Sequence, residues 1–252
     1  MKISIVIPSI GRHFRFLWRA LDSLSSQTRI PDEVIVSQCE SILIPDEKKS
    51  ALSEKYSKIF EKFELLLETK ALRSGPNRQK ASDVCTGDFI VYQDADDASH
   101  RQRVEILENI FNNNDVVHIA HSYKYMNNYN TDHIDISKIK IYPADKLYKL
   151  YFSDKIDADY VPLHDWPYGA CPDFNGTAIT AGAMAIRREV LKEVRWRAPH
   201  ELILSNSPTT EDYEFDMEIL FKFKKSILID APVYFYEVSS DKMRFDPNNF
   251  GG

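Results

Sequence analysis

Apolar and polar positions alternate in blocks along the first half of the chain. Residues 2–7, Lys2-Ile3-Ser4-Ile5-Val6-Ile7, are an apolar run of strand length that ends at Pro8-Ser9-Ile10-Gly11-Arg12, a turn by its Pro and Gly. Phe14, Leu17, Trp18, Leu21 and Leu24 follow at helical spacing and predict a helix over 14–27 with one apolar face. Pro31-Asp32-Glu33 leads into a second strand at 34–37. Strand, helix and strand at this spacing read as a βαβ unit, hence a parallel sheet with a right-handed crossover. The rhythm continues. A helix is expected over 45–60, opened by Pro45 and the acids Asp46 and Glu47. After it come a strand over 63–68, a loop over 69–76, a helix over 77–85 and a strand over 89–93. A helix over 101–112, with Val104, Leu107, Ile110 and Phe111 facing inward, and a strand over 115–121 complete an alternation typical of a doubly wound sheet.

The second half is less regular. Residues 123–142 can hold a β-excursion, 144–152 read as a short helix, and 153–175 read as a long loop carrying Pro162, Pro167 and Pro172. Loops of that length tend to be lids or substrate-contacting segments. His164, Trp166 and Tyr168 in it could stack on a sugar ring or simply pin the loop to the body. A strand over 179–186, helices over 187–194 and 211–222, and a last strand over 227–236 follow, with a loosely ordered tail from 239.

Composition narrows the classes. At 252 residues, with 43% hydrophobic and 28% charged residues, the chain suits a soluble globular α/β domain with a substantial core. A net charge of -6 without a long basic run argues against nucleic acid as a partner. Cys39, Cys85 and Cys171 show no paired spacing, which speaks against a disulfide framework or a zinc site and fits a reducing compartment. No apolar run approaches a membrane span, so a cytoplasmic protein is expected, with peripheral contact to a membrane left open.

The chemistry concentrates in Gly87-Asp88-Phe89-Ile90-Val91-Tyr92-Gln93-Asp94-Ala95-Asp96-Asp97, where a strand runs into three carboxylates within four positions. Like charges this close raise one another's pKa or take a cation between them. Oxygen ligands of this kind suit a hard divalent ion, Mg²⁺ or Mn²⁺. The competing reading is a solvated turn in which Asp97 or Ser99 caps the next helix. Glu211-Asp212 is a second acidic pair, either catalytic or simply favoured at a helix start by the macrodipole.

These pieces, in this order, resemble the family 2 glycosyltransferases and their nucleotide-sugar-binding fold, GT-A. The resemblance rests on Ile5-Val6-Ile7-Pro8-Ser9, Ser23-Leu24-Ser25-Ser26-Gln27-Thr28, Pro31-Asp32-Glu33-Val34-Ile35-Val36, Arg78 nine residues before Gly87, and Asp94-Ala95-Asp96-Asp97. It continues in Gly182-Ala183-Met184 with Arg187-Arg188, and in Glu211-Asp212 opening a helix. It implies one Rossmann-like α/β domain over 1–252, with a mostly parallel central sheet flanked by helices and a smaller acceptor-side region. A nucleotide-sugar-binding half spans 1–121, an acceptor-binding half 122–238 and a tail 239–252. It implies a nucleotide-sugar pocket of Pro8, Ser9, Ser37, Gln38, Arg78, Asp94, Ala95 and Asp96, with a divalent metal, Mn²⁺ or Mg²⁺, on Asp96 and Asp94. Asp212, beside Glu211, is implied as the general base of a single inverting displacement. Trp166, Gly182, Ala183 and Met184 are assigned to the acceptor side from their position. The donor implied is a nucleoside-diphosphate sugar, UDP-linked by the resemblance with the base left open by Ser37-Gln38, and the acceptor a glycan, lipid or protein.

Three positions depart from the family pattern. Ser37-Gln38 stand where one or two base-reading Asp usually end the second strand, and Gln79 stands where Asn is common. Tyr236-Glu237-Val238-Ser239 lacks the His that often serves as a further metal ligand. A catalytically silent relative that binds nucleotide sugar or glycan is therefore the alternative reading. A nucleotidyltransferase fits less well, because the loop after the first strand has one Gly rather than a Gly-rich phosphate cradle.

Overall fold

The computed structural model describes residues 1–143, 170–171, 174–175, 181–201 and 211–237. The expected helix over 144–152 and all but four residues of the expected loop over 153–175 lie outside them, as do Trp166 and the tail from 239.

Strand β1 (Ile3–Ser9) is buried along its whole length, as a strand covered on both faces must be. It lies between β2 (Glu33–Gln38) and β4 (Phe89–Tyr92), parallel to both, and β3 (Lys62–Leu67) adds to β2 in parallel. The order β3-β2-β1-β4 reverses direction at β1, which places a crevice at the carboxyl ends of β1 and β4, where open α/β sheets bind ligands. Helix α1 (Leu17–Ser25) buries Leu17, Ala20, Leu21 and Leu24, a stripe at helical spacing, against one face of the sheet. It is shorter than the predicted helix at both ends, residues 14–16 forming turns and the helix stopping at Ser25.

Pro45 precedes helix α2 (Asp46–Tyr56) as its N-cap rather than sitting inside it. Helix α3 (Ser74–Ser82) starts three residues earlier than its apolar pattern suggests. Gly75 permits this: a Cβ there would stand 2.2 Å from the carbonyl oxygen of Arg197. Strand β5 (Ala98–Ser99) has no counterpart in the sequence reading, being two residues long. Helix α4 (Arg103–Asn113) and strand β6 (His118–Tyr125) follow as expected, and the β-excursion after β6 is realised as β7 (Ile141–Pro143) on β11. Strands β8 (Ala170–Cys171) and β9 (Phe174–Asn175) pair antiparallel as a second, two-stranded sheet.

The strand expected over 179–186 is, in its described part, a 3-10 turn at Ala181–Ala183 followed by β10 (Met184–Arg187). The helix expected over 187–194 is a 3-10 turn at Arg188–Lys192. Helix α5 (Glu211–Phe223) and strand β11 (Ser226–Tyr236) close the fold. Strand β10 is antiparallel to both β4 and β6, so β6 and β11 run in the direction of β1 and β4. The sheet is thus parallel through β3-β2-β1-β4 and mixed beyond it, with helices on its faces: the Rossmann-like α/β architecture expected. Because β4 and β11 share a direction, the ends of both meet at one edge of the sheet, and β5 pairs with β11 there.

Candidate active site

The crevice at the switch point is built from strand ends. Ser9 is the last residue of β1 and Gln38 the last of β2, and the two are register partners, so their side chains share a face. Pro8 and Ser37, also partners, turn to the opposite face. Among the described residues, Ser9 Oγ, Ser37 Oγ, Gln38 Oε1, Asn77 Oδ1 and Arg78 Nε are buried polar atoms without a hydrogen-bond partner. Such groups are costly to leave unsatisfied, and those of Ser9 and Gln38, side by side at the strand ends, suit a polar ligand, while Ser37 lies on the other face. Asn77, which sequence reasoning passed over, holds this wall by donating to the Ser9 carbonyl oxygen at 3.1 Å.

Arg78, on α3, is the centre of the site. Its Nη2 donates to Asp94 Oδ1 at 2.6 Å, and its Nη1 stands 3.7 Å from Glu211 Oε1. Ser74 Oγ also donates to Glu211. Burial alone would lower the guanidinium's pKa, but Asp94 and Glu211 beside it outweigh that and hold it above its ordinary value. The ring of Trp196 lies beneath Arg78 at 5.1 Å and is stacked on Phe215 with centroids 3.9 Å apart. The Trp196 amide donates to Gln79 Oε1 at 2.8 Å, which gives the departure at Gln79 a structural use. The two acidic motifs picked out from the sequence therefore meet across one arginine.

The three carboxylates after β4 have three different environments. Asp94 faces Arg78. Asp97 is buried and accepts from the Glu237 amide at 2.7 Å and from the Tyr234 hydroxyl. The helix-cap reading of Asp97 is thereby overturned: its bonds go to β11 and the residue after it, not to the start of α4. Asp96 has His13 Nε2 3.9 Å away. Burial, and next to it the Asp94 charge, raise the Asp96 carboxyl, with His13 pulling the other way. Burial pulls the His13 imidazole below its usual value. Arg19 of α1 donates to the Asp96 carbonyl oxygen and pairs with Glu237 at 2.8 Å. Glu237, near the place of the missing His, is thus committed to Arg19.

Among the described residues no group of three His, Cys, Asp or Glu could hold a metal ion. The donor set fits a cation only if substrate oxygens complete its shell. Asp94 is engaged by Arg78 and Asp97 by β11, while the Asp96 carboxylate, raised by burial and by Asp94, would be relieved by a positive charge.

Of the residues assigned to the acceptor side, Gly182, Ala183 and Met184 are all buried, Met184 in the core between the sheet and α5. Ala95 packs into the larger core. Arg103 was missed, although its spacing with Leu107 and Ile110 put a charge on the apolar face of α4.

The sequence profile described as "Glycosyl transferase family 2" matches residues 4–195. The chain belongs to glycosyl transferase family 2. Solved structures agree at the level of the fold. The crystal structure of residues 1–349 of TarS from S. aureus superposes with a TM-score of 0.63 at 18% identity, covering 94% of this chain and 60% of that one. The same TarS fragment in complex with UDP-GlcNAc gives 0.65 at 15% identity, covering 94% and 58%, and its complex with UDP gives 0.61 at 19%, covering 95% and 61%. The family 2 chain thus spans about three fifths of these structures. No curated protein matches the chain by sequence. Among the described residues no helix is long and apolar enough to cross a membrane.

Proposed function

We propose that this family 2 protein transfers a sugar from a nucleoside-diphosphate sugar to an acceptor hydroxyl with inversion of configuration. The observation that carries the reading is Arg78, which stands within 2.6 Å of the carboxylate after β4 and 3.7 Å of the one that opens α5. A positive group held between those motifs suits a diphosphate leaving group, whose charge grows as the glycosidic bond breaks. The unpartnered polar atoms of Ser9, Gln38 and Asn77 suit a ribose and base at the ends of β1 and β2. UDP is the nucleotide we propose, since the similar TarS fold is solved with UDP and UDP-GlcNAc.

Asp96 would hold a divalent cation, Mn²⁺ or Mg²⁺, together with diphosphate oxygens, in the manner of ions that keep only one or two protein carboxylates. Bound there, the ion supplies Lewis-acid stabilisation of the leaving diphosphate. Asp94 orients Arg78, and Glu211 holds it from the other side. Asp212, the next residue on α5, takes the proton from the acceptor hydroxyl as that oxygen attacks the anomeric carbon. The acceptor would approach from residues 122–238, with Trp166 as a candidate platform.

The test is release of UDP from UDP-GlcNAc and a panel of other UDP-sugars, with Mn²⁺ and with chelator, on the wild type and Asp212→Asn. Metal-dependent turnover lost in the variant supports the reading. UDP binding without turnover on any donor would leave a silent binding relative, and absence of both would reject the site.

A further inference from the structure

Tyr234 and Arg103 are buried polar side chains outside the proposed chemistry, and both act on the segment that carries Asp96. We infer that Tyr234, backed by Arg103, is a positioning residue that fixes the Asp94–Asp97 turn, so that Asp94 and Asp96 are presented to the diphosphate and its cation in one arrangement. The inference rests on the nucleotide-sugar reading above and adds to it a residue from the far end of the chain.

The Tyr234 hydroxyl makes two bonds to this turn. It accepts from the Asp94 amide at 3.1 Å and donates to the Asp97 carboxylate. The Glu237 amide takes the other Asp97 oxygen at 2.7 Å. Asp97 is therefore the anchor of the turn: its buried carboxylate is bound at one oxygen by Tyr234 of β11 and at the other by Glu237, the residue after that strand. Arg103 holds the flanks. Its Nη2 donates to the Tyr92 carbonyl at 2.8 Å and to the Gly182 carbonyl at 2.6 Å. Its Nη1 donates to Gln93 Oε1 at 3.0 Å and Ser99 Oγ at 3.1 Å, and its Nε to His121 Nε2 at 3.2 Å. Its guanidinium also lies 4.8 Å from the centre of the Tyr234 ring, a cation–π contact in a desolvated setting. Gln93 in turn donates to the Asp94 carbonyl at 3.1 Å.

Backbone or side chain is thus held at residues 92, 93, 94, 97 and 99, on both sides of Asp96. Buried, mutually bonded polar groups of this kind confer a single arrangement more than they confer stability. The Tyr234 ring has no room to shift toward Gly182, where even a Cβ would stand 1.9 Å from its hydroxyl oxygen. Catalytic groups need positioning to within about half an ångström, and the four-residue turn has no regular secondary structure of its own to supply it.

The test compares Tyr234→Phe with Tyr56→Phe. Tyr56 is also a buried tyrosine, and its hydroxyl donates to a carboxylate, Asp22 Oδ1 at 2.8 Å, between α2 and α1 and away from the site. Two quantities are read: hydrogen exchange of the peptide covering 93–99 in the unliganded protein, and the affinity for UDP in saturating and limiting Mn²⁺. Tyr234→Phe is expected to speed exchange of that peptide, weaken UDP about tenfold and raise the Mn²⁺ half-saturation by a similar factor. Tyr56→Phe should change none of them, even with a comparable drop in melting temperature. Unchanged exchange at 93–99 in Tyr234→Phe, or equal losses in both variants, would overturn the inference. If the wild type binds no UDP, the proposed function fails, while the exchange comparison still decides whether Tyr234 fixes the turn.

Discussion

Arg78 and Asp94 are sixteen residues apart in the chain and 2.6 Å apart in the fold. The pair joins the first turns of α3 to the end of β4, and Glu211 extends it to α5. Replacing Arg78 with Met would leave two carboxylates facing each other with no cation between them. Breaking a buried pair in this way costs on the order of 3 kcal/mol. Arg78→Lys is expected to fold better than Arg78→Met yet still lose UDP affinity, because a single ammonium cannot reach both carboxylates as the planar guanidinium does. Urea denaturation and a UDP titration on the two variants check both halves of this prediction.

Asp212 and Glu211 are neighbours with different expected phenotypes. As general base, Asp212 acts on the acceptor, so Asp212→Asn should cut transfer by roughly 10²–10⁴-fold and leave UDP affinity within a factor of two or so. Glu211 bears on Arg78, so Glu211→Gln should weaken UDP and reduce transfer less. Steady-state kinetics beside equilibrium binding separate the two, and the reverse pattern would exchange their roles.

Gly182 has a packing reason to be glycine. With the Tyr234 hydroxyl 1.9 Å from where a Cβ would stand, Gly182→Ala must displace the ring or the 3-10 turn. Overpacking of this kind costs about 1–3 kcal/mol, which at this chain length is roughly 2–4 °C of Tm per kcal/mol. A calorimetric scan measures it. A Tm equal to wild type would mean that the turn yields freely and that Gly182 owes its identity to something else.

His121 sets a pH dependence of stability. It is fully buried, and its Nε2 accepts from Arg103, so its proton sits on Nδ1 and is donated to the Ser122 carbonyl at 3.0 Å. Burial first, and the Arg103 charge next, push its pKa well below 6.5. Between that depressed value and 6.5 the unfolded chain binds the proton and the folded one does not. Stability from this group is therefore present above about pH 6.5 and is lost as pH falls toward the folded value, at up to about 1.4 kcal/mol per pH unit. The stability difference between wild type and His121→Gln, followed from pH 7.5 to 5, isolates the effect. Wild type should lose ground as pH falls, and parallel curves would contradict the assignment.

Much of the nucleotide half was legible because its code is local. Ile5, Val6 and Ile7 in unbroken succession read as a strand covered on both faces, and Leu17, Leu21 and Leu24 as one face of a helix. The acidic motifs stood out as clustered charge, and Arg78, nine residues before Gly87, was singled out by the family resemblance. What escaped depends on partners far along the chain. Strand β5 is two residues long and exists because β11 pairs with it. The role of Asp97 requires Tyr234, 137 residues away, and its local sequence reads equally well as a helix cap. Trp196 lies in an irregular stretch, and only the fold brings it beneath Arg78. The antiparallel insertion of β10 between β4 and β6 has the same origin: its apolar residues announce a strand, but nothing local says which neighbours it takes.

The central claim is that the crevice between β1, β4 and α5 binds a nucleoside diphosphate with the help of Asp96 and Arg78. The most direct measurement is a calorimetric titration of UDP into the wild type, Asp96→Ala and Arg78→Met, each with Mn²⁺ and with chelator. The account predicts Mn²⁺-dependent binding to the wild type, loss of the Mn²⁺ dependence in Asp96→Ala, and loss of binding in Arg78→Met with or without the ion. Equal UDP affinity in all three folded proteins would contradict it.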